Sequence, residues 1–275
     1  YAAGDTLLWM PMGTDDHPFN GIFDGADYTV DYMHINATAE KYAGLVGKAD
    51  GAEIKNIKIG ENSRISSAQT YLGAVAGAVS NTLVTNCHNA ANLTSTAMYV
   101  GGVLGDATGA KTLISMCSNT GTVTTTANMA GGITARLGDN NAVCVLYNCF
   151  NTGAISAKGT AGGIVAFLQT PTAGTGKSLV ANCYNTGDVT ADENTAGGIV
   201  GQINMFSEIK NCVSSAKVSA VKRYAGGIVG NNNNKNNPGP ITRCYYLENT
   251  VTSGSDMNTS GNALTAEQMY GSVLV

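Results

Sequence analysis

Asn182-Cys183-Tyr184-Asn185-Thr186-Gly187-Asp188-Val189, followed closely by Ala196-Gly197-Gly198-Ile199-Val200-Gly201, is the stretch that decides the fold. Both halves return about every thirty residues. The glycine element begins at Ala43, Gly73, Gly101, Gly131, Gly162, Gly197 and Gly226, with steps of 30, 28, 30, 31, 35 and 29. The second element is centred on Ile57, Cys87, Cys117, Cys149, Cys183, Cys212 and Cys244. Two columns sharing one period of this size indicate a stack of repeats, each burying its apolar side against its neighbours.

Within one unit, Gly198-Ile199-Val200 reads as a short apolar strand. Ile209-Lys210-Asn211 and Asp188-Val189-Thr190-Ala191 alternate with period two and read as two more. The Asn-Cys pair marks a bend, and the Thr-Gly pair a turn in which glycine takes a positive φ. No segment has helical periodicity. Three short strands per unit fit one coil of a parallel β-solenoid, and seven coils spaced about 4.8 Å apart make a rod roughly 35 Å long. A propeller is the rival, but it needs four strands per blade. The expectation is all-β: a right-handed parallel β-solenoid of about seven coils, the hand following the general preference of parallel crossovers. Residues 1–35 are expected to cap one end, 36–250 to form the coils, and 251–275 to be a second cap or a linker. Like residues should stack, with Val103, Ile133, Ile164, Ile199 and Ile228 in one column and Val123, Ile155, Val189 and Val218 in another.

Composition agrees with a turn-rich β protein. Of 275 residues, 43% are hydrophobic and only 12% charged, with 35 glycines and one tryptophan, Trp9. The net charge is −4 and no run of Lys or Arg is present, so nucleic acid is not expected as a partner. No apolar stretch approaches the length of a membrane span. The opening Tyr1-Ala2-Ala3-Gly4 has no leader character and reads as the start of a mature or excised fragment.

Cys87, Cys117, Cys149, Cys183, Cys212 and Cys244 share a column, and Cys144 stands outside it. On neighbouring coils their side chains would run parallel about 5 Å apart, whereas a disulfide needs converging Cβ atoms near 3.8 Å, so a ladder of free, buried thiols is expected. There is no CxxC or Cys/His cluster for zinc. A nucleophilic cysteine would need a base, and the histidines are only His17, His34 and His88. No cofactor and no catalysis are expected. Asn86, Asn148, Asn182 and Asn211 precede the cysteines, while Asn89, Asn119, Asn151 and Asn185 follow two positions later. Both sets read as structural amide ladders.

These residues resemble the GLUG-motif repeats of bacterial surface and secreted proteins, over about residues 20–251. Ala43-Gly44-Leu45-Val46-Gly47 is close to the family's namesake. Phe19-Asn20-Gly21-Ile22-Phe23-Asp24-Gly25 is similar to its lead-in, and Asn262-Ala263-Leu264-Thr265-Ala266-Glu267-Gln268-Met269 to its trailing segment. Met116 and Arg243 depart from the first Asn, and Ala135 and Ala166 from the closing Gly. The resemblance implies a β-solenoid exposed outside a bacterial cell. Such repeats accompany adhesins and large secreted enzymes, some of them peptidases, and carry no assigned catalytic residues themselves.

Two surface features are candidates for binding. Insertions collect at the corner between the glycine element and the next Asn column. The longest insertion is residues 167–181, with Gln169, Pro171 and Lys177, and another is the Asn-rich segment 231–240. Two outward columns carry aromatics: His88, Ser118, Phe150, Tyr184, Val213 and Tyr245, and Lys41, Tyr71, Tyr99, Met129, Thr160, Thr195 and Tyr224. Phe150, Tyr184, Tyr245, Tyr99, Tyr224 and Gln169 are the candidate ligand-binding residues, with stacking on sugar rings set against ordinary cross-rung packing. Asp139-Asn140-Asn141 lacks the pattern of a strong calcium loop. The expected function is an adhesive or spacing module with a surface glycan or protein as partner. The alternatives are an accessory domain of a larger secreted enzyme such as a peptidase, or a subunit that self-associates through open solenoid ends.

Overall fold

The computed structural model describes residues 8–37, 39–139, 142–170, 176–204, 207–233, 240–255 and 257–271. It is a parallel β-solenoid. Going round one coil, Thr195–Gly197 lies in sheet 1 and Val200–Asn204 in sheet 2. Glu208–Lys210 and Val213–Ser214 share sheet 3, and Val218–Ala220 lies in sheet 4. Sheet 2 holds seven strands and sheets 1 and 4 eight each, which makes about seven turns. The first two coils have four strands and the later ones five, rather than the three expected from alternation. The Gly-Gly pair is itself a corner between two strands, and from Met116 onward the residue before each column cysteine splits what reads as one strand into two, whereas Glu53–Ile59 and Leu83–Asn89 run through that position unbroken.

Register is kept throughout. Val123 pairs with Ile155, Ile155 with Val189 and Val189 with Val218. Backbone bonds carry Ile133 onto Ile164, Ile199 and Ile228 in succession. These side chains are almost fully buried and belong to one continuous core along the axis. Cys149 and Cys183 lie on adjacent rungs, since Phe150 pairs with Tyr184.

The first coil is one residue shorter at the glycine corner. Tyr42 pairs with Tyr71 and Ala43 with Leu72, while Val46 already pairs with Ala76. The glycine column thus begins at Gly44 rather than Ala43, and Tyr42 rather than Lys41 stands in the tyrosine column.

The backbone corrects the turn argument. Gly121, Gly153 and Gly187 of the Thr-Gly pairs are not among the positive-φ residues. A Cβ on any of them would overlap a carbonyl oxygen of the coil beneath, so glycine is required there for space. Positive φ falls instead on the residue before the cysteine column: Asn56, Asn86, Met116, Asn148, Asn182, Asn211 and Arg243 all lie between 52° and 55°. Asparagine tolerates this left-handed conformation better than other side chains, because its short amide can bond locally.

Residues 12–37 lay a further coil on the first. Met12 bridges to Val46 and Phe19 to Ala49. Ile22–Asp24 and Thr29–Val30 pair with Glu53–Ile59, and His34–Ala37 pairs with Arg64–Ser67. Trp9 anchors this coil, its indole Nε1 donating to the Leu45 carbonyl at 2.9 Å. At the other end Asn262–Leu264 closes over Tyr245–Leu247. Helix Ala266–Tyr270 follows, held by a capping box between Thr265 and Gln268. The long connections do gather between sheets 2 and 3. Pro171 and residues 234–239 lie outside the described residues, as do Asn140 and Asn141. Gln169 belongs to strand Val165–Gln169 rather than to the loop.

Candidate functional site

The two asparagine columns, three residues apart, are built differently. The inner one is fully buried. Asn89 Nδ2 donates to Asn119 Oδ1 at 2.8 Å, Asn119 to Asn151 at 2.7 Å, and Asn151 to Asn185 at 2.8 Å. Each amide also donates to the carbonyl two residues on, that of Ala91, Gly121, Gly153 or Gly187. The second glycine of the Gly-Gly corner faces this ladder: a Cβ on Gly132 would sit 2.6 Å from Asn151 Cγ. Gly-Gly and the buried amide are thus two halves of one packing unit. The ladder stops at Ser214, whose buried hydroxyl has no partner among the described residues.

The outer column lies on the surface. Asn211 Nδ2 bonds Asn182 Oδ1 at 3.0 Å, Asn182 bonds Asn148 at 3.1 Å, and Asn86 bonds Asn56 at 2.8 Å. Met116, 52% exposed, interrupts it. The cysteines stack inward between the two columns, all buried and free. Burial pushes the Cys149 thiol up, as do its sulfur neighbours. It pushes Cys144, outside the column, up to about 12.

The aromatic candidates fall on two different faces. On sheet 3, Phe150 and Tyr184 stack with centroids 4.9 Å apart and rings parallel to within 1°. Val213 separates Tyr184 from Tyr245. On sheet 1, Tyr42, Tyr71 and Tyr99 form a continuous stack with spacings of 5.3 and 5.2 Å. Tyr224 lies away from it, beyond Met129, Thr160 and Thr195. In both stacks the ring faces are turned to one another along the rod. The ends of the tyrosine stack are covered by cations, with Lys41 Nζ 4.9 Å from the Tyr42 centroid and the Arg136 guanidinium 5.3 Å from that of Tyr99. A sugar ring needs an open aromatic face, and this stack leaves none.

The charges around the tyrosines are paired. Arg136 grips Asp106 with two bonds of 2.7 Å. Burial pushes the Asp106 carboxyl up and Arg136 opposes the shift. Asp15, on the added N-terminal coil, accepts from Lys48, Tyr42 and Lys41, which hold its carboxyl well below the usual carboxylate range. Among the described residues no group of three or more His, Cys, Asp or Glu could hold a metal ion.

A surface that the aromatic columns do not reveal lies on sheet 4. Beside the inward aliphatic residues of this sheet, Ile65, Leu93, Val123, Ile155, Val189, Val218 and the partly buried Val251, the next residue points outward: Ser66, Thr94, Thr124, Ser156, Thr190, Ser219 and Thr252. Seven successive rungs of the column carry a hydroxyl, and the first rung, where Asn36 pairs with Ser66, carries an amide. The signal of this outward column in the sequence is the residue following the aliphatic column, legible once the coils are aligned on that column. At the N-terminal end the column runs into a cleft of about 650 Å³ lined by His34, Asn36, Glu61, Arg64, Asn92 and Thr94, among others.

These features define a parallel β-solenoid of short stacked repeats, and one stretch of it matches a known motif. The family model described as the GLUG motif matches residues 96–124. A candidate immunoglobulin A1 protease from Bacteroides ovatus has a crystal structure similar to this chain. Its TM-score is 0.55 at 21% identity, over 97% of this chain and 76% of that one. That likeness is one of fold. No curated protein matches the sequence. No helix among the described residues is long and apolar enough to cross a membrane.

Proposed function

We propose that the chain is a non-catalytic β-solenoid module of a secreted or cell-surface bacterial protein, holding an adhesive face at a fixed distance. The observation that carries this reading is that the thiols, the most buried carboxylate and the tyrosine stack are consumed by the fold. The thiols point into the core, Asp106 is clamped by Arg136, and the tyrosine faces cover one another. What remains outward is a rigid rod with repeating columns. Binding of the labelled chain to host epithelial cells and to bacterial cells tests the adhesive part, with saturable binding to either expected.

The fold shared with the Bacteroides ovatus protein favours a second reading, an accessory region of a larger secreted peptidase. The two differ in what the module serves: an accessory region would bind the peptidase's substrate, so a pull-down of immunoglobulin A1 by the labelled chain favours it and no retention favours ours. Both readings predict an intact heavy chain, and cleavage would overturn both. Self-assembly through the ends is a weaker reading. Residues 8–37 carry five aspartates and no Lys or Arg; Asp15, Asp24 and Asp27 are paired with lysines of the next coil, which leaves Asp16 and Asp31 facing an opposite end with Glu248 and Glu267 against Arg243, so a weak like-charge repulsion opposes end-to-end contact. Sedimentation velocity is expected to give a concentration-independent monomer.

A further inference from the structure

We infer that sheet 4, with the cleft at its N-terminal end, binds an extended, uncharged polysaccharide laid along the rod axis. This rests on the adhesive reading above and names its face and ligand class.

Ser66, Thr94, Thr124, Ser156, Thr190 and Ser219 stack in register, one per rung, about 4.8 Å apart. From Thr94 to Ser219 none of these hydroxyls has a protein partner among the described residues, and the Ser66 hydroxyl makes only two long contacts of 3.4 Å. The hydroxyls one position further on behave differently. Thr125 donates to the Ala97 carbonyl at 2.7 Å and Ser95 to the Ser67 carbonyl, both spent on the corner. The outward column is therefore not used to hold the coil together.

Ordinary β-propensity favours Thr at an exposed strand position. It does not account for uniformity. The outward column of sheet 3 in the same coils reads Lys58, His88, Ser118, Phe150, Tyr184 and Val213, so an exposed strand position here accepts charge, ring and branched chain alike. In this column of sheet 4 no charged or bulky side chain interrupts the hydroxyls from Ser66 to Ser219, and only the first rung, Asn36, differs.

A hydroxyl both donates and accepts. A row of them at constant pitch matches a polymer that repeats hydroxyls at similar pitch, as an extended polysaccharide does. The cleft supplies an anchor. Glu61 and Arg64 both line it, and neither side chain has an ion-pair partner among the described residues, so it offers one acceptor and one donor with no net charge. Asn92 closes its far side, with its Oδ1 taken by Thr122 N and Oγ1 at 2.8 and 2.9 Å. An anionic polymer would meet Glu61 and, further along, Asp188, with Arg64 and Lys217 as counterweights. The balance selects for a neutral chain.

The test is affinity electrophoresis of the full chain through gels containing a mixed-linkage β-glucan, a glucomannan, an arabinoxylan or polygalacturonate. Retardation by at least one of the three neutral polymers and none by polygalacturonate is expected. The double variant Thr94→Val, Thr124→Val keeps shape and β-propensity while removing two hydroxyls. It is expected to weaken binding by about tenfold or more with the circular dichroism spectrum and melting temperature unchanged. Arg64→Gln, at the anchor, should weaken it independently. Absence of retardation by every neutral polymer overturns the proposal, and so does undiminished binding by the double-valine variant. If the parent chain still binds cells in either case, the adhesive reading survives and only this face is wrong. If it binds neither cells nor polymers, both fall.

Discussion

The inner and outer asparagine columns are the same residue three positions apart, repeated on the same coils, yet they answer to different physics. The outer position demands a backbone conformation. Its φ is near 53° in every coil, and Met116 and Arg243 occupy it at 54° and 52° without breaking the rod. The inner position demands a side chain. Its amide satisfies a buried carbonyl within the coil and a neighbouring amide above, and the corner opposite it must be glycine. A strained backbone costs on the order of 1–2 kcal/mol and can be paid rung by rung. An orphaned buried amide also strands its neighbours.

The comparison can be broken at several points. The largest effect is expected from Asn151→Leu. It leaves the Gly153 carbonyl and the Asn119 amide without their partners and is expected to destabilise by about 3–5 kcal/mol, read as a drop in urea midpoint. Gly132→Ala attacks the same unit from the other side, since its Cβ would overlap the Gly163 carbonyl as well as Asn151. A loss of about 3 kcal/mol is expected, with Asn151→Ala in the same chain recovering part of it as a non-additive pair. Alkaline pH probes the one buried thiol described outside the ladder, at a site independent of both columns. Cys144 holds its proton to about 12 in the folded chain against a usual value of 9.0. The unfolded chain therefore loses that proton first, so stability present below pH 9 should fall as pH rises from 9 to 12. A melting temperature flat over that window would contradict the buried thiol. Met116→Asn sharpens the comparison in the favourable direction: it relieves the left-handed methionine and offers an amide between Asn86 and Asn148. A gain of about 1 kcal/mol in a melting experiment is expected. Ser214→Ala, which removes an unpaired buried hydroxyl, should be the smallest change, within about 1 kcal/mol and stabilising in sign.

Much of the fold was legible because each column repeats a residue whose role does not depend on its neighbours' rotamers. Cys117 through Cys244 and Val123 through Val218 could be aligned by period alone, and the structure stacks them as aligned. The five-strand coil was not legible. Alternation runs straight through Asn211, and only the left-handed φ there shows that the strand is cut. The role of Gly153 could not be read either, because a turn glycine and a glycine pressed against a carbonyl of the next coil look the same in one dimension. The missing residue in the first coil displaced Lys41 into a column that belongs to Tyr42. Of the candidate binding residues, Tyr99 proved to be part of a closed stack, because ring orientation is set by what lies above and below it. The hydroxyl face was within reach. It needed the column beside Val123 to be read outward as well as inward.

The most direct measurement is a pair of glycine substitutions, Asn148→Gly and Asn151→Gly, unfolded in urea side by side. Glycine adopts the left-handed region freely, so the outer variant is expected to stay within about 0.5 kcal/mol of the parent. The inner variant loses a buried amide and should fall by at least about 3 kcal/mol. Equal losses, or a larger loss at Asn148, would contradict the division of labour between the two columns.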